Sequence, residues 1–257
     1  SGGGSDAAQA IENKGSDTLV NLALMWAEVY MGEHPEVRLS VTGGGSGTGI
    51  AAMINGTVDI ANASRAMKQE EIEAAEANGI TPIEFTVARD AIAVVVHPSN
   101  PVDGLTLQQI SGIYTGKITN WSEVGGPDAL IAVISREEGS GTRGAFEEMV
   151  MGKDGPVIVD TAILQPSNGA VKTTVSTTDD AIGFLSFGYL DDSVKALNID
   201  GIEATVANAK SGTYPIVRPL NMLTNGEPEG AVKAFLDFVM SAEGQAVVVD
   251  EGYLSVK

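Results

Sequence analysis

Apolar positions along this chain recur with two periods, and the places where one period gives way to the other are rich in glycine, serine and threonine. Leu19, Leu22, Ala23, Trp26, Val29 and Tyr30 repeat at helical spacing, which predicts a helix from the N-cap candidates Ser16, Asp17 and Thr18 to near Gly32. Val37 to Val41 alternates as a strand, empties into Thr42 to Gly49, and is followed by a short helix carrying Ile50, Ala51, Met53 and Ile54 up to Gly56. Val58 to Ala61 predicts another strand ending at Asn62-Ala63-Ser64-Arg65, and Lys68 to Asn78 an exposed, glutamate-rich helix closed by Gly79. Ile83 to Val87 and Ala91 to Val96 are two β-rich runs separated by Ala88-Arg89-Asp90, before His97-Pro98 breaks the chain.

The second half continues the pattern. A helix from Thr106 carries Leu107, Ile110, Ile113 and Tyr114, and Trp121 reads as a packing residue. Leu130 to Ile134 predicts a buried strand, and Gly144 to Met151 a helix. Val157 to Val159 and Ala181 to Leu185 predict strands, with a turn at Pro166 to Gly169 in which Asn168 serves as a turn asparagine. Tyr214 to Leu220 is an extended run bounded by prolines, and the tail is helical, with Val232, Phe235, Leu236 and Val239 on one face.

Short strands alternating with helices indicate an α/β chain built from parallel units. Its 257 residues suffice for two lobes. Crossings near 91 and 214 divide it into a first lobe of residues 1–91 and 214–257 and a second of residues 92–213. Ligand-facing turns from both lobes would then border a cleft.

Composition narrows the function. No apolar run approaches the roughly 20 residues that span a bilayer. The opening S-G-G-G-S-D reads as a polar tether following a processed or acylated N-terminus, or as a cloning remnant. Without cysteine there is no disulfide, thiol nucleophile or thiolate metal site. A formal charge of −19 argues against nucleic acid, which requires a basic stripe. His34 and His97 both precede prolines, and no carboxylate–histidine cluster suggests a metal or an enzyme.

The candidate chemistry lies in three turns. Arg136-Glu137-Glu138-Gly139-Ser140-Gly141-Thr142-Arg143 joins a strand to a helix, where outward N–H groups, hydroxyls and guanidinium forks all donate hydrogen bonds. Such a set suits a small oxyanion. Gly43 to Gly49 with Ser46 is a second turn of this kind, and it lacks the lysine of a phosphate-binding P-loop. Gly15 to Leu19 is the third, and Arg65 adds a cation just beyond a strand. Gly139, Gly141 and Gly144 also satisfy G-x-G-x-x-G with Asp160 downstream, but Arg136, Glu137 and Glu138 intervene between the strand and the first glycine, unlike a dinucleotide site. The acidic surface would repel an anion at long range, yet screening over about 8 Å leaves local donors in control of a bound state.

Read together, G-S-D-T-L (15–19), G-G-G-S-G-T-G (43–49), A-S-R (63–65), D-A-I-A-V-V-V-H-P-S-N-P (90–101), I-Y-T-G-K-I-T-N-W (113–121), R-E-E-G-S-G-T-R (136–143) and Y-P-I-V-R-P-L (214–220) resemble the Pst-type phosphate-binding proteins of ABC importers along almost the whole chain. The resemblance implies a two-lobed, type II periplasmic-binding-protein fold with the ligand cleft between lobes. It also implies an extracytoplasmic, non-catalytic receptor without cofactor or metal, a monomer, with permease subunits as partners and the membrane reached only through an N-terminal anchor. Phosphate would be held by Asp17, Thr18, Ser46, Arg136, Ser140, Gly141 and Thr142, with Arg65, Ser16, Ser64, Asp90 and Arg143 as further ligand candidates and Glu138 orienting the arginine.

In one respect this chain departs from the family pattern. Arg65 stands where members carry an aspartate that accepts the proton of HPO₄²⁻ and thereby rejects sulfate. Asp17 and Asp90 are the candidates to replace it, and Asp17 is favoured because it lies in the ligand turn itself. Without a replacement, a receptor for sulfate, tungstate or molybdate is the alternative, and a nucleotide-dependent enzyme a more distant one.

Overall fold

A computed structural model describes residues 9–153 and 155–257, so the tether expected at residues 1–6 lies outside the described residues. In chain order come β1 (Gln9–Gly15), α1 (Asp17–Glu33), β2 (Val37–Thr42), α2 (Ser46–Ile54), β3 (Ile60–Ala63) and α3 (Gln69–Ala77). The strand β4 (Pro82–Val96) leads to β5 (Gly104–Leu105), α4 (Leu107–Tyr114), β6 (Ala132–Arg136), α5 (Gly141–Met151), β7 (Ile163–Gln165) and α6 (Asn168–Ser176). Next are β8 (Ala181–Ser186), β9 (Lys195–Ala196), β10 (Asn198–Ile199), α7 (Val206–Lys210), β11 (Val217–Asn225), α8 (Gly230–Val239) and α9 (Ala242–Asp250). The chain divides into two units. Unit 1 holds the described residues up to 88 with Pro219–Glu251 and Ser255–Lys257; unit 2 holds Arg89–Arg218 and Gly252–Leu254.

In unit 1, β1 lies parallel between β2 and β3, and β11 pairs antiparallel with β3. The apolar stripe predicted for α1 is buried apart from half-buried Val29, and Trp26 Nε1 donates to the Gly244 carbonyl at 2.7 Å. Tyr30 meets Phe235 edge-on at 5.3 Å. The helical tail thus covers α1, as the shared face of Phe235, Leu236 and Val239 requires.

In unit 2, β6 runs parallel to both β7 and β8, while β4 pairs antiparallel with β8 and β9. Phe146 stacks on Phe184 at 4.1 Å, and Tyr114 meets Phe146 edge-on at 4.7 Å, which binds α4, α5 and β8 into one core. Trp121 is fully buried there and donates to the Asp180 carbonyl at 3.0 Å. Leu254 exchanges both backbone bonds with Arg89, and a Cβ on Gly188 would lie 2.5 Å from the Tyr253 hydroxyl, so the segment 252–254 is built into this unit.

Several local expectations are corrected. The two runs at 83–87 and 91–96 form one continuous strand, because exposed Arg89 and buried Asp90 interrupt the apolar composition while keeping the β alternation. Residues 157–159 are not a strand: Val157 is exposed, Ile158 is buried, and Val159 N–H bonds only the Tyr114 carbonyl at 2.8 Å. The expected turn at 166–169 is the start of α6, with Ser167 as N-cap accepting from Ala170 N–H at 3.0 Å.

Candidate functional site

In unit 1 the carboxyl ends of the parallel strands β1, β2 and β3 are followed by the starts of α1 and α2 and by Ser64. Two glycines allow this close assembly. A Cβ on Gly15, at φ +143°, would lie 2.2 Å from the Asn62 carbonyl oxygen, and one on Gly49 would lie 2.5 Å from the Lys14 carbonyl oxygen. With only hydrogen there, α2 begins directly against the end of β1.

Ser16 is the N-cap of α1, yet its side chain makes no capping bond. Its hydroxyl instead donates to Ser64 Oγ at 2.9 Å, Ser64 N–H donates to Ser46 Oγ at 3.0 Å, and the Ser46 and Ser64 hydroxyls lie 3.3 Å apart. All three serines are buried. α2 starts from Gly45 (φ 91°), which has no side chain to cap it. Two helix starts without a side-chain cap thus converge on three buried hydroxyls, an arrangement favourable to an anion. Thr18 is buried in the first turn of α1, and Asp17 is half-buried beside it.

In unit 2, β6 ends at Arg136, and Gly139 (φ +84°) turns the chain into α5. Ser140 is the N-cap and accepts from Arg143 N–H at 3.2 Å, leaving its own hydroxyl proton to donate outward. Gly141 and Thr142 follow, both buried. The Arg136 side chain is 2% exposed, and its Nε and Nη2 donate to the Gln165 and Pro166 carbonyls at 3.2 and 2.9 Å. α6 begins beside this region with buried Asn168.

Four candidates are placed differently from expectation. Glu138 is exposed and does not orient Arg136; the Gln165 and Pro166 carbonyls at the end of β7 do so. Arg65 lays a two-pronged fork on Glu71, Nη1 to Oε2 at 2.8 Å and Nη2 to Oε1 at 2.7 Å. Burial pushes the Glu71 carboxyl up, but the bonds from Arg65 and from Lys68 N–H outweigh it and hold it below the usual carboxylate range. Arg143 is turned to Glu147 at 2.8 Å and to the Arg136 carbonyl at 3.2 Å. Asp90 is fully buried: its Oδ2 accepts from Arg218 Nε and Nη2 at 3.0 and 2.7 Å, and its Oδ1 from the Ser186 hydroxyl at 2.8 Å. Burial pushes this carboxyl up, against the pull of Arg218.

Arg218 and Ser186 are not among the residues the sequence singles out, and Asn168 reads there as a turn asparagine that could also donate to a ligand. An arginine inside the apolar run 214–220 was the available signal, since a buried guanidinium requires a buried acceptor. A grouping of Ser99, His97 and Asp179 imitates a hydrolase triad, but Ser99 Oγ (2.7 Å) and Asp179 Oδ1 (3.4 Å) both face the same ring nitrogen, Nδ1. A proton relay needs both imidazole nitrogens. Among the described residues no group of three potential metal ligands occurs, and no helix is long and apolar enough to cross a membrane.

A family model for the PBP superfamily domain matches residues 2–243. The phosphate-binding protein PstS of Bacillus subtilis is 36% identical over 252 residues, which are 97% of this chain and 82% of that one. The chain belongs to the PstS family of phosphate-binding proteins. PstS of Pseudomonas aeruginosa is 34% identical over 95% of this chain and 82% of its own. Among solved structures, a Clostridium perfringens protein described as a phosphate ABC transporter substrate-binding protein, with bound phosphate, is 39% identical, covering 97% of this chain and 100% of that one with a TM-score of 0.90. An ABC-type phosphate transport receptor from Vibrio cholerae is 37% identical, with 95% and 99% covered and a TM-score of 0.79. The fold shared with PstS proteins is the periplasmic-binding-protein fold, here an α/β chain in two units.

Proposed function

We propose that this chain is a non-catalytic, extracytoplasmic receptor that captures inorganic phosphate and delivers it to the permease subunits of an ABC importer. The observation that carries the reading is the use of Ser16: an N-cap serine that leaves its own helix uncapped and joins Ser46 and Ser64 at two helix starts. Ordinary capping would be the use of that hydroxyl in a purely structural turn. Phosphate is the small oxyanion named for the PstS relatives, and its oxygens suit hydroxyl, amide and guanidinium donors. Its ligands are Asp17, Thr18, Ser46, Arg136, Ser140, Gly141 and Thr142, with Ser16 and Ser64 supporting Ser46. The receptor acts as an extracytoplasmic monomer, either periplasmic or lipid-anchored at the outer face of the cell membrane.

Asp17 accepts a hydrogen bond from the P–OH of HPO₄²⁻. Asp90 is engaged by Arg218 and Ser186, so it does not serve as that acceptor. A carboxylate accepts from protonated phosphate but meets only like charge in sulfate. Micromolar binding requires about 8 kcal/mol, and charge-assisted hydrogen bonds contribute roughly 1.5–3 kcal/mol each, so these ligands suffice after dehydration. Calorimetry with phosphate, sulfate and molybdate at one pH is the test. Micromolar or tighter phosphate with much weaker sulfate is expected, and equal affinities would overturn the phosphate assignment.

A further inference from the structure

We infer that Arg218 is a positioning residue for the anion-binding hydroxyl of Thr142, with Asp90 as its fixed counter-charge. The inference rests on the phosphate reading of the site. All of its residues lie in unit 2. Arg218 is 2% exposed and Asp90 not at all. The guanidinium approaches side-on, so that Nε and Nη2 both reach Asp90 Oδ2, and the same Nη2 donates to Thr142 Oγ1 at 3.1 Å. On the other side of the carboxylate, Ser186 donates to Oδ1, and the Ser186 N–H donates to Asn168 Oδ1 at 3.2 Å. One buried carboxylate therefore fixes groups at the starts of both α5 and α6.

The bond to Thr142 has a chemical consequence. A threonine hydroxyl has two lone pairs and one proton. When a cationic N–H occupies a lone pair, the proton is directed to the remaining side and the O–H becomes a stronger donor. That is the form of hydroxyl suited to an acceptor-only anion at a helix start. A buried ion pair alone would be poor evidence for any role beyond packing. Here the donor that anchors on Asp90 is the one that reaches the proposed ligand residue. Lysine would keep the charge opposite Asp90, but an ammonium lacks the planar fork that spans both partners.

The test is a double-mutant cycle by calorimetry with inorganic phosphate on the full chain, using Arg218→Lys and Thr142→Val. Each single change is expected to weaken binding about tenfold, and in the Arg218→Lys background Thr142→Val should cost no more than about threefold further. Wild-type affinity in Arg218→Lys, or losses that multiply, would overturn the inference while leaving the phosphate reading intact. Absence of phosphate binding by the wild type would instead sink the reading itself, and the inference with it. Should Arg218→Lys fail to fold, Asp90→Asn releases the same guanidinium and retains the side-chain volume. The same non-additivity with Thr142→Val is then expected, and additivity overturns the assignment.

Discussion

Replacing Gly49 by alanine tests whether the start of α2 is held where an anion needs it. The added Cβ would stand 2.5 Å from the Lys14 carbonyl oxygen, 2.7 Å from Gly15 Cα and 3.2 Å from the Asn62 carbonyl oxygen, all of them backbone atoms of the strands below. These cannot rotate away, so the first turn of α2 must retreat by about 0.9 Å to reach ordinary contact. A hydrogen bond of about 2.9 Å stretched by that amount is lost. With one or two donors of the Ser46 turn withdrawn, at roughly 1.5–3 kcal/mol each, phosphate affinity should fall at least tenfold and up to several hundredfold. The overpacking also costs about 1–3 kcal/mol of stability, or a fall of roughly 2–10 °C in the unfolding midpoint. Calorimetry and thermal unfolding, each with and without phosphate, separate the two effects. Gly112→Ala is the control: its Cβ would meet the flexible end of Ile118 at 2.8 Å, in unit 2 and away from any proposed ligand. It should leave affinity unchanged. Wild-type affinity in Gly49→Ala would show that the Ser46 turn does not hold the ligand.

Other expectations follow from particular bonds. Ser140→Ala should weaken phosphate at least tenfold and, because Ser140 caps α5, lower ligand-free stability by about 1 kcal/mol; a change in stability alone would make the residue structural. Arg65→Ala should leave phosphate affinity within about threefold while removing the fork on Glu71, and a tenfold loss in calorimetry would return Arg65 to the ligand set. The same pair predicts a pH response: the Glu71 carboxyl is held below its unfolded value of about 4.3, so its contribution is present above that pH and disappears as acid protonates the folded form. Acid unfolding curves of Arg65→Ala should show this component reduced to what the Lys68 N–H bond supplies, and superimposable curves would refute it. Asp17→Asn should narrow the preference for phosphate over sulfate at least tenfold in competition calorimetry, whereas an undiminished ratio would place the proton acceptor elsewhere.

Much of the fold was legible because burial of one face sets a clear helical spacing in α1, α4 and α8, while β8, buried on both faces, shows as a short continuous apolar run. The donor turns were legible for a related reason, since a glycine–serine cluster between a strand and a helix has few physical uses. β1 was not, because Gln9, Glu12, Asn13 and Lys14 give it no continuous apolar run, and parallel pairing with β2 and β3 decides its state. α6 was hidden by Pro166 and Gly169, which read as a turn until Ser167 is seen capping a helix. The pairing choices of charged side chains were the least legible. Arg65, Asp90 and Arg218 each find partners far from what composition suggests: Glu71 lies six positions along from Arg65, while Asp90 and Arg218 are separated by 128.

The short segment 252–254 gives the far end of the described chain a structural duty. Tyr253 is buried against Gly188 and Leu254 is laced to Arg89, while Ser255 and Val256 return to Gln245 in unit 1 at 2.9 and 3.0 Å. Shortening the chain by these few residues would therefore strip unit 2 of an internal part. Labels and fusion partners should therefore not be substituted for anything between Gly252 and Val256.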